Sequence, residues 1–294
     1  MHNHSDNPQP NVLSFDKLHI IQWLGSTDRK TGKELFNTLQ ASGDIDHNLV
    51  EFVDIADKSE LLSVLDNLII SCRDKDSIPL IHIETHGNDS GIGTSVNPNQ
   101  FIEHTDLLEV LRELNVQTKF NLFIVMAACF GSKLVKIIKD TLLKPSPFWG
   151  VMGPIKETYD DYIYRGYCAF YKSFFKTYNI NESMKVMKDE VPQFDKDLRM
   201  YTAEELFQKA IKQYCTDKCS LEISLKRAEA IIETFNVTSK DKITDLDFKY
   251  KIAEYLQSTV SKKAIFDARK RVFFMHDLYA DNPELSDPEF PLDI

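Results

Sequence analysis

A chain of 294 residues, 43% apolar and 27% charged, is long enough for one large domain or two small ones, each with a real core. Its 10 Gly and 11 Pro are too few for a collagen-like or low-complexity chain, and 19 Phe with 11 Tyr argue against intrinsic disorder. A net charge of −10 lacks the commonest electrostatic signature of a nucleic-acid binder, so no direct nucleic-acid contact is expected. The longest apolar run, Leu122 to Phe130, is about half of what a membrane-spanning helix needs. No membrane partner is expected. The N-terminal MHNHSDNPQPN lacks the basic and apolar regions of a signal peptide, which predicts a cytoplasmic protein. Cys72, Cys129, Cys168, Cys215 and Cys219 are an odd number in such a chain and are expected to be reduced. Cys215 and Cys219 form a single CxxxC without a second ligand pair close by, a weak basis for zinc.

In chain order, residues 1–14 read as a disordered N-terminal segment and 15–178 as an α/β domain. LHIIQWL (Leu18 to Leu24) is the first strand, followed by a helical stretch around Lys33 to Gln40. VEFVDI (Val50 to Ile55) precedes a helix in which Leu61, Leu62, Leu65, Leu68 and Ile69 recur at helical spacing. PLIHIETHG (Pro79 to Gly87) is the third strand; after a glycine-bearing loop, Thr105 and Asp106 open a helix carrying Leu107, Leu108, Leu111 and Leu114. KFNLFIVMAAC is the fourth strand, GSKLVKIIKDTLL its helix, and FWGVMG (Phe148 to Gly153) the fifth strand. Such alternation predicts a mostly parallel sheet flanked by helices on both faces. Tyr159, Ile163, Tyr167, Phe170, Tyr171, Phe174 and Tyr178 follow at three- and four-residue steps, the core face of a long helix. Residues 179–276 read as a helical C-terminal extension, with helical patterns through Ala203 to Tyr214, Leu221 to Phe235 and Phe248 to Leu256. Residues 277–294 read as an acidic tail, solvated and extended or else an acidic docking peptide: no Lys or Arg follows Arg271, and prolines interrupt it.

In an open parallel sheet, ligands bind at the carboxyl ends of the strands. His86 closes the third strand and is followed by Gly87; Cys129 closes the fourth, with Gly131 shortly after. They are 43 residues apart, one helical crossover, so the simplest topology puts them on neighbouring strands about 4.8 Å apart. Thiol catalysis needs that arrangement. A free thiol is mostly protonated at neutral pH, an adjacent imidazole takes its proton, and a helix N-terminus favours the thiolate. His86 is then the acid and base, and the amides of Gly87 and Cys129 are candidates to hold a developing oxyanion. Gly131 is expected to let the loop turn sharply beneath the sulfur.

At these residues the chain resembles a known group. The strand-end His-Gly of IETHGNDSGI paired with the Ala-Cys-x-Gly of MAACFGS is similar to the caspase-like cysteine proteases, in particular their bacterial CHAT-type branch. GPIKETYDDYIYRGYCAFYKSFF fits the pattern that follows in that branch, and the similarity spans about Phe15 to Tyr178. The resemblance implies a cysteine endopeptidase with a Cys129–His86 dyad and no cofactor. It also implies a protein substrate and an activating or sensing protein partner, as in bacterial defence or programmed cell death. Ala127 stands where animal caspases have their substrate-reading Gln, and the acid of the Arg- and Lys-cleaving branches is missing there, so cleavage after Asp, Arg or Lys does not carry over.

Other readings compete. Asp160 and Asp161, just after the fifth strand, either line a pocket for a basic substrate residue or are first-turn acids complementing a helix dipole. Asp89 orients the His86 loop or caps a turn. His82, Glu84 and His86 share one face of a strand and are metal-ligand types, which suggests a metal-dependent hydrolase; a hydrogen-bonded core role for His82 competes with it. A catalytically silent caspase-like scaffold is the third possibility.

Overall fold

A computed structural model describes residues 15–95, 97–238, 246–282 and 285–291; the N-terminal segment 1–14 lies outside them. In chain order the strands are β1 (Lys17–Trp23), β2 (Val50–Asp54), β3 (Pro79–Thr85), β4 (Gly91–Gly93), β5 (Phe101–Glu103), β6 (Phe123–Ala127), β7 (Gly150–Pro154) and β8 (Leu198–Thr202). Helices α1 (Thr31–Gln40), α2 (Lys58–Lys75), α3 (His104–Gln117) and α4 (Asp160–Thr177) fall between them, and α5 (Ile180–Glu190) and α6 (Phe194–Asp197) lead to β8. Six strands form one sheet in the order β2-β1-β3-β6-β7-β8. Every neighbouring pair is parallel except β7 and β8. This is the α/β sheet that the alternating elements predict.

The chain leaves β1 toward one edge through α1, then returns past β1 to β3 through α2 and goes on to β6 through α3. Right-handed crossovers running in opposite directions put α1 on one face and α2 and α3 on the other. Alternate residues of β3 accordingly meet different layers, and all are buried. On the α1 side Leu80, Phe123, Val125 and Ala127 join Leu35 and Leu39 of α1 and Ile163, Tyr167, Phe170, Tyr171 and Phe174 of α4 in one core. From Ile163 to Phe174 the aromatic stripe is thus a core face, with Phe170 and Phe174 stacked at 5.7 Å, whereas Tyr159 and Tyr178 at its two ends are exposed.

Three departures from the sequence reading have physical causes. Within the stretch expected to be all helix, β8 adds an antiparallel edge; it is short and mostly half-buried, and so carries little alternating signal. The segment after Cys129 is a 3-10 helix over Gly131–Asp140 instead of an α-helix, consistent with the β-branched Val135, Ile137 and Ile138, which disfavour the α form. The glycine-bearing loop contains a small hairpin, β4 against β5.

The described residues divide into two compact units: one runs to Ala203 apart from Ile138–Pro145, and the other takes Ile138–Pro145 and the chain from Glu204 onward. The second unit is built of α7 (Ala203–Lys218), α8 (Leu221–Thr238), α9 (Leu246–Gln257) and α10 (Thr259–Phe273). The rings of Phe207 and Phe274 lie 5.1 Å apart at its centre. The described part of the acidic tail belongs to this unit and is not simply solvated: Leu285 is buried, the Phe290 ring lies 5.4 Å from Phe266, and Lys270 Nζ donates to Asp287 at 2.6 Å. Apolar residues between its acids supply the contacts that net charge conceals.

Candidate active site

The register of β3 against β6 pairs Ile83 with Met126 and Glu84 with Ala127. Continued past the strand ends at the same offset, it sets His86 opposite Cys129. Because side chains alternate, His86 shares the face of Glu84 and Cys129 that of Ala127. Both residues line one cavity of about 40 Å³, together with Asp28, Arg29, Thr31, Glu84, Thr85, Thr158, Asp160 and Ile163 among others. It lies at the carboxyl end of the sheet between the strand ends and the starts of α1 and α4, beside the β1–β3 point where crossovers leave in opposite directions.

The backbone here is closely packed. A Cβ on Gly87 would fall 2.3 Å from the Cys129 carbonyl oxygen, so only glycine lets the two strand ends approach this closely. Gly87 bridges Ile92 of β4 through its neighbours, Gly93 N–H donating to His86 O and Asn88 N–H to Gly91 O, each at 3.0 Å. That antiparallel pattern leaves Gly87's own N–H on the side away from β4. Asn88 shapes the following turn, its Oδ1 accepting from Ser90 and Gly91 N–H, the role that Asp89 was a candidate for.

At Cys129 the chain turns through Ala128–Gly131, closed by Gly131 N–H donating to Ala128 O at 2.9 Å. Within this turn the left-handed residue is Phe130, with φ 58°. Gly131 answers a different demand: a Cβ there would meet Met126 O at 2.7 Å. Cys129 is half-buried, whereas the other four cysteines are buried; all five are free thiols. Its Sγ points at the Thr158 carbonyl, 4.0 Å away.

His86 is half exposed, and its Nε2 lies 2.8 Å from Asp28 Oδ2. Asp28 comes from the loop between β1 and α1, and no motif marked it. The bond to His86, aided by one from Gly25 N–H, holds its carboxyl below the usual carboxylate range. Arg29 beside it makes a two-pronged bond to Glu34, lies 3.5 Å from Asp161 and stacks 5.1 Å over the Tyr164 ring. Of the two acids weighed for substrate binding, Asp160 lines the cavity, while Asp161 pairs with Arg29 and Arg165. No local pattern singles out Asp28; its place beside His86 follows from β1 lying next to β3.

Beneath the cavity lies a buried polar chain. Thr31 Oγ1 donates to Glu84 Oε1, Glu84 Oε2 bonds His82 Nε2 at 2.8 Å, and His82 Nδ1 bonds the Tyr171 hydroxyl at 3.1 Å. The Tyr167 ring meets the His82 ring edge-on at 4.9 Å. Both nitrogens of His82 and both oxygens of Glu84 are thereby engaged, and His86 turns to Asp28. Among the described residues no group of three or more His, Cys, Asp or Glu is placed to hold a metal ion. The His82, Glu84 and His86 set therefore reads as a core histidine network below a separate surface histidine. No family model matches the chain, and no curated protein matches it.

Proposed function

We infer that the chain is a cysteine endopeptidase in which Cys129 is the nucleophile and His86 the acid and base, of the caspase-like, CHAT-type kind. The observation that carries this reading is that a histidine and a half-buried thiol, each just past the end of one of the paired strands β3 and β6, line one cavity. In the reaction His86 takes the Cys129 proton and the sulfur adds to the peptide carbonyl. Gly87 and Cys129 N–H groups face the oxyanion, and His86 then protonates the leaving amine. Water, activated by the same imidazole, hydrolyses the thioester and restores the thiol.

The cavity, at about 40 Å³, is small, although His86 beside it is half exposed and Cys129 only half-buried. Seating a peptide across so small a cavity requires its walls to part. This accords with a protein substrate admitted only after an activating or sensing partner acts, the setting the family resemblance implies for defence or cell death. The small cavity also favours a second reading, a caspase-like interaction module that does not take up substrate. A thiol-reactive peptide probe separates the two. A protease labels at Cys129 and loses labelling in His86→Ala, whereas labelling indifferent to His86, with or without partner, supports the module.

A further inference from the structure

We propose that Asp28 is the positioning residue of this site, holding His86 Nε2 so that the imidazole presents Nδ1 to Cys129. The proposal rests on the cysteine-peptidase reading and extends the pair to a Cys129–His86–Asp28 relay. Its first support is geometric. Asp28 Oδ2 accepts from both His86 Nε2 at 2.8 Å and Gly25 N–H at 2.7 Å. Asp28 N–H returns a bond to Gly25 O at 3.1 Å, and Lys30 Nζ ties Leu24 O and Gly25 O at 2.7 Å each. The carboxylate is therefore held by its own loop before it meets the imidazole.

The second support is which nitrogen is left. Nδ1 lies nearer the histidine's own main chain than Nε2 does. The main chain beside His86 is the one packed on Cys129, with Gly87 Cα against the Cys129 carbonyl. A thiol on the neighbouring strand end is thus served by the near nitrogen, while the far one reaches outward to Asp28. A carboxylate accepting from Nε2–H selects the tautomer whose Nδ1 lone pair takes a proton, and it stabilises the imidazolium that results. The charged groups around the cavity are Asp28 and Arg29 from the β1–α1 loop, Glu84 from β3 and Asp160 from α4, with Lys30 close to Asp28. Arg29 is turned to Glu34 and Asp161, and Glu84 to His82 and Thr31, which leaves Asp28 as the acid bonded to His86.

The test needs no substrate. The iodoacetamide alkylation rate at Cys129, located by mass spectrometry, is followed from about pH 5 to about pH 9 in wild type, Asp28→Asn, Asp28→Glu, His86→Ala and Asp28→Asn with His86→Ala. A free thiol is only a few per cent thiolate near neutral pH, so losing the imidazolium partner slows alkylation by on the order of tenfold. Asp28→Asn is expected to show that loss near pH 7 and a profile moved toward that of a free thiol. Asp28→Glu should recover most of the rate, and Asp28→Asn should add nothing once His86 is gone. Ring nitrogen NMR of His86 should report the Nε2–H tautomer in wild type and a mixture in Asp28→Asn. An unchanged profile and tautomer in Asp28→Asn, with His86→Ala still slow, overturns the role of Asp28 and leaves the peptidase reading standing. Faster alkylation in Asp28→Asn also overturns it, because Asp28 would then sequester His86. Indifference to His86→Ala overturns the peptidase reading itself.

Discussion

Replacing Gly87 by alanine tests whether the close contact of the two strand ends sets the chemistry. The added Cβ would sit 2.3 Å from the Cys129 carbonyl oxygen and 3.4 Å from Ala128 Cβ. The first distance is about 1 Å short of ordinary contact, and the obstacle is backbone, which cannot swing aside as a side chain does. One strand end must move by about that amount. An overpacked site of this kind typically costs about 1–3 kcal/mol of stability, which a well-folded unit survives. A misplacement of about 1 Å between reacting groups costs about 10²-fold in rate. Gly87→Ala is therefore expected to melt slightly early and to label with a peptide probe at Cys129 about 10²-fold more slowly than wild type. Gly43→Ala is the control, since a Cβ there meets nothing within 4 Å. Both are followed by urea titration and by probe labelling read by mass spectrometry. A Gly87→Ala protein that labels at the wild-type rate would refute the premise that this contact positions Cys129.

Native alkylation with a small reagent near pH 8 should modify Cys129 first: burial pushes the thiols of Cys72 up to about 12 and of Cys168 and Cys215 up to about 11, keeping them protonated there. Peptide mapping that finds Cys72 or Cys168 modified ahead of Cys129 contradicts this order. Arg29→Ala removes the ties to Glu34, Asp161 and Tyr164, and should speed labelling of Cys129 by a bulky peptide probe several-fold while leaving iodoacetamide labelling nearly unchanged. Equal acceleration of both reagents would mean that Arg29 does not gate size. Glu84→Ala strands Thr31 and His82 in a buried site and should destabilise the first unit by about 3 kcal/mol, measured as a shift in its urea midpoint. The bond from His86 depresses the Asp28 carboxyl, so its stabilisation is full above the unfolded value near ~3.9 and is lost as pH falls through the lower folded value. In His86→Ala the Asp28 carboxyl, followed by NMR, should titrate higher than in wild type.

Much of this was legible because parallel strands announce themselves as apolar runs, and their carboxyl ends are where reactive side chains gather. His86 and Cys129 could be paired from sequence alone, since one crossover separates them and β3 and β6 are neighbours. Asp28 was not legible: its loop carries no glycine-rich or paired-acid pattern, and its meaning depends on β1 lying on the other side of β3, a fact of strand order. The hairpin β4–β5 was too short, at three residues a strand, for periodicity to register, and β8, mostly half-buried, lacks the apolar run that marked the equally short β6. The His82–Glu84 pairing was hidden for another reason. Residues two apart on a strand face also suit a metal, and only the Thr31 and Tyr171 hydroxyls arriving from α1 and α4 show the set to be satisfied from within.

The two sides of the cavity differ in how firmly they are held. His86 and Cys129 stand on strands joined by ladder hydrogen bonds, and the His86 carbonyl is further bonded by Gly93 N–H. On the opposite walls, Asp28 and Arg29 on one loop and Asp160 at the start of α4, the loop meets α4 through a part-exposed pair, Arg29 with Asp161 at 3.5 Å, while Arg29 also pairs with Glu34 of α1. Such pairs are worth roughly 0–1 kcal/mol each, whereas separating strand ends packed like β3 and β6 breaks several backbone hydrogen bonds at about 1 kcal/mol apiece and exposes buried apolar residues. On the proposed reading, a partner touching the β1–α1 loop or the start of α4 is expected to widen the cavity before it disturbs the β3–β6 register. Asp28 lies on that loop, so on the same reading such a contact is expected to change how firmly His86 is oriented, coupling access to reactivity through one loop.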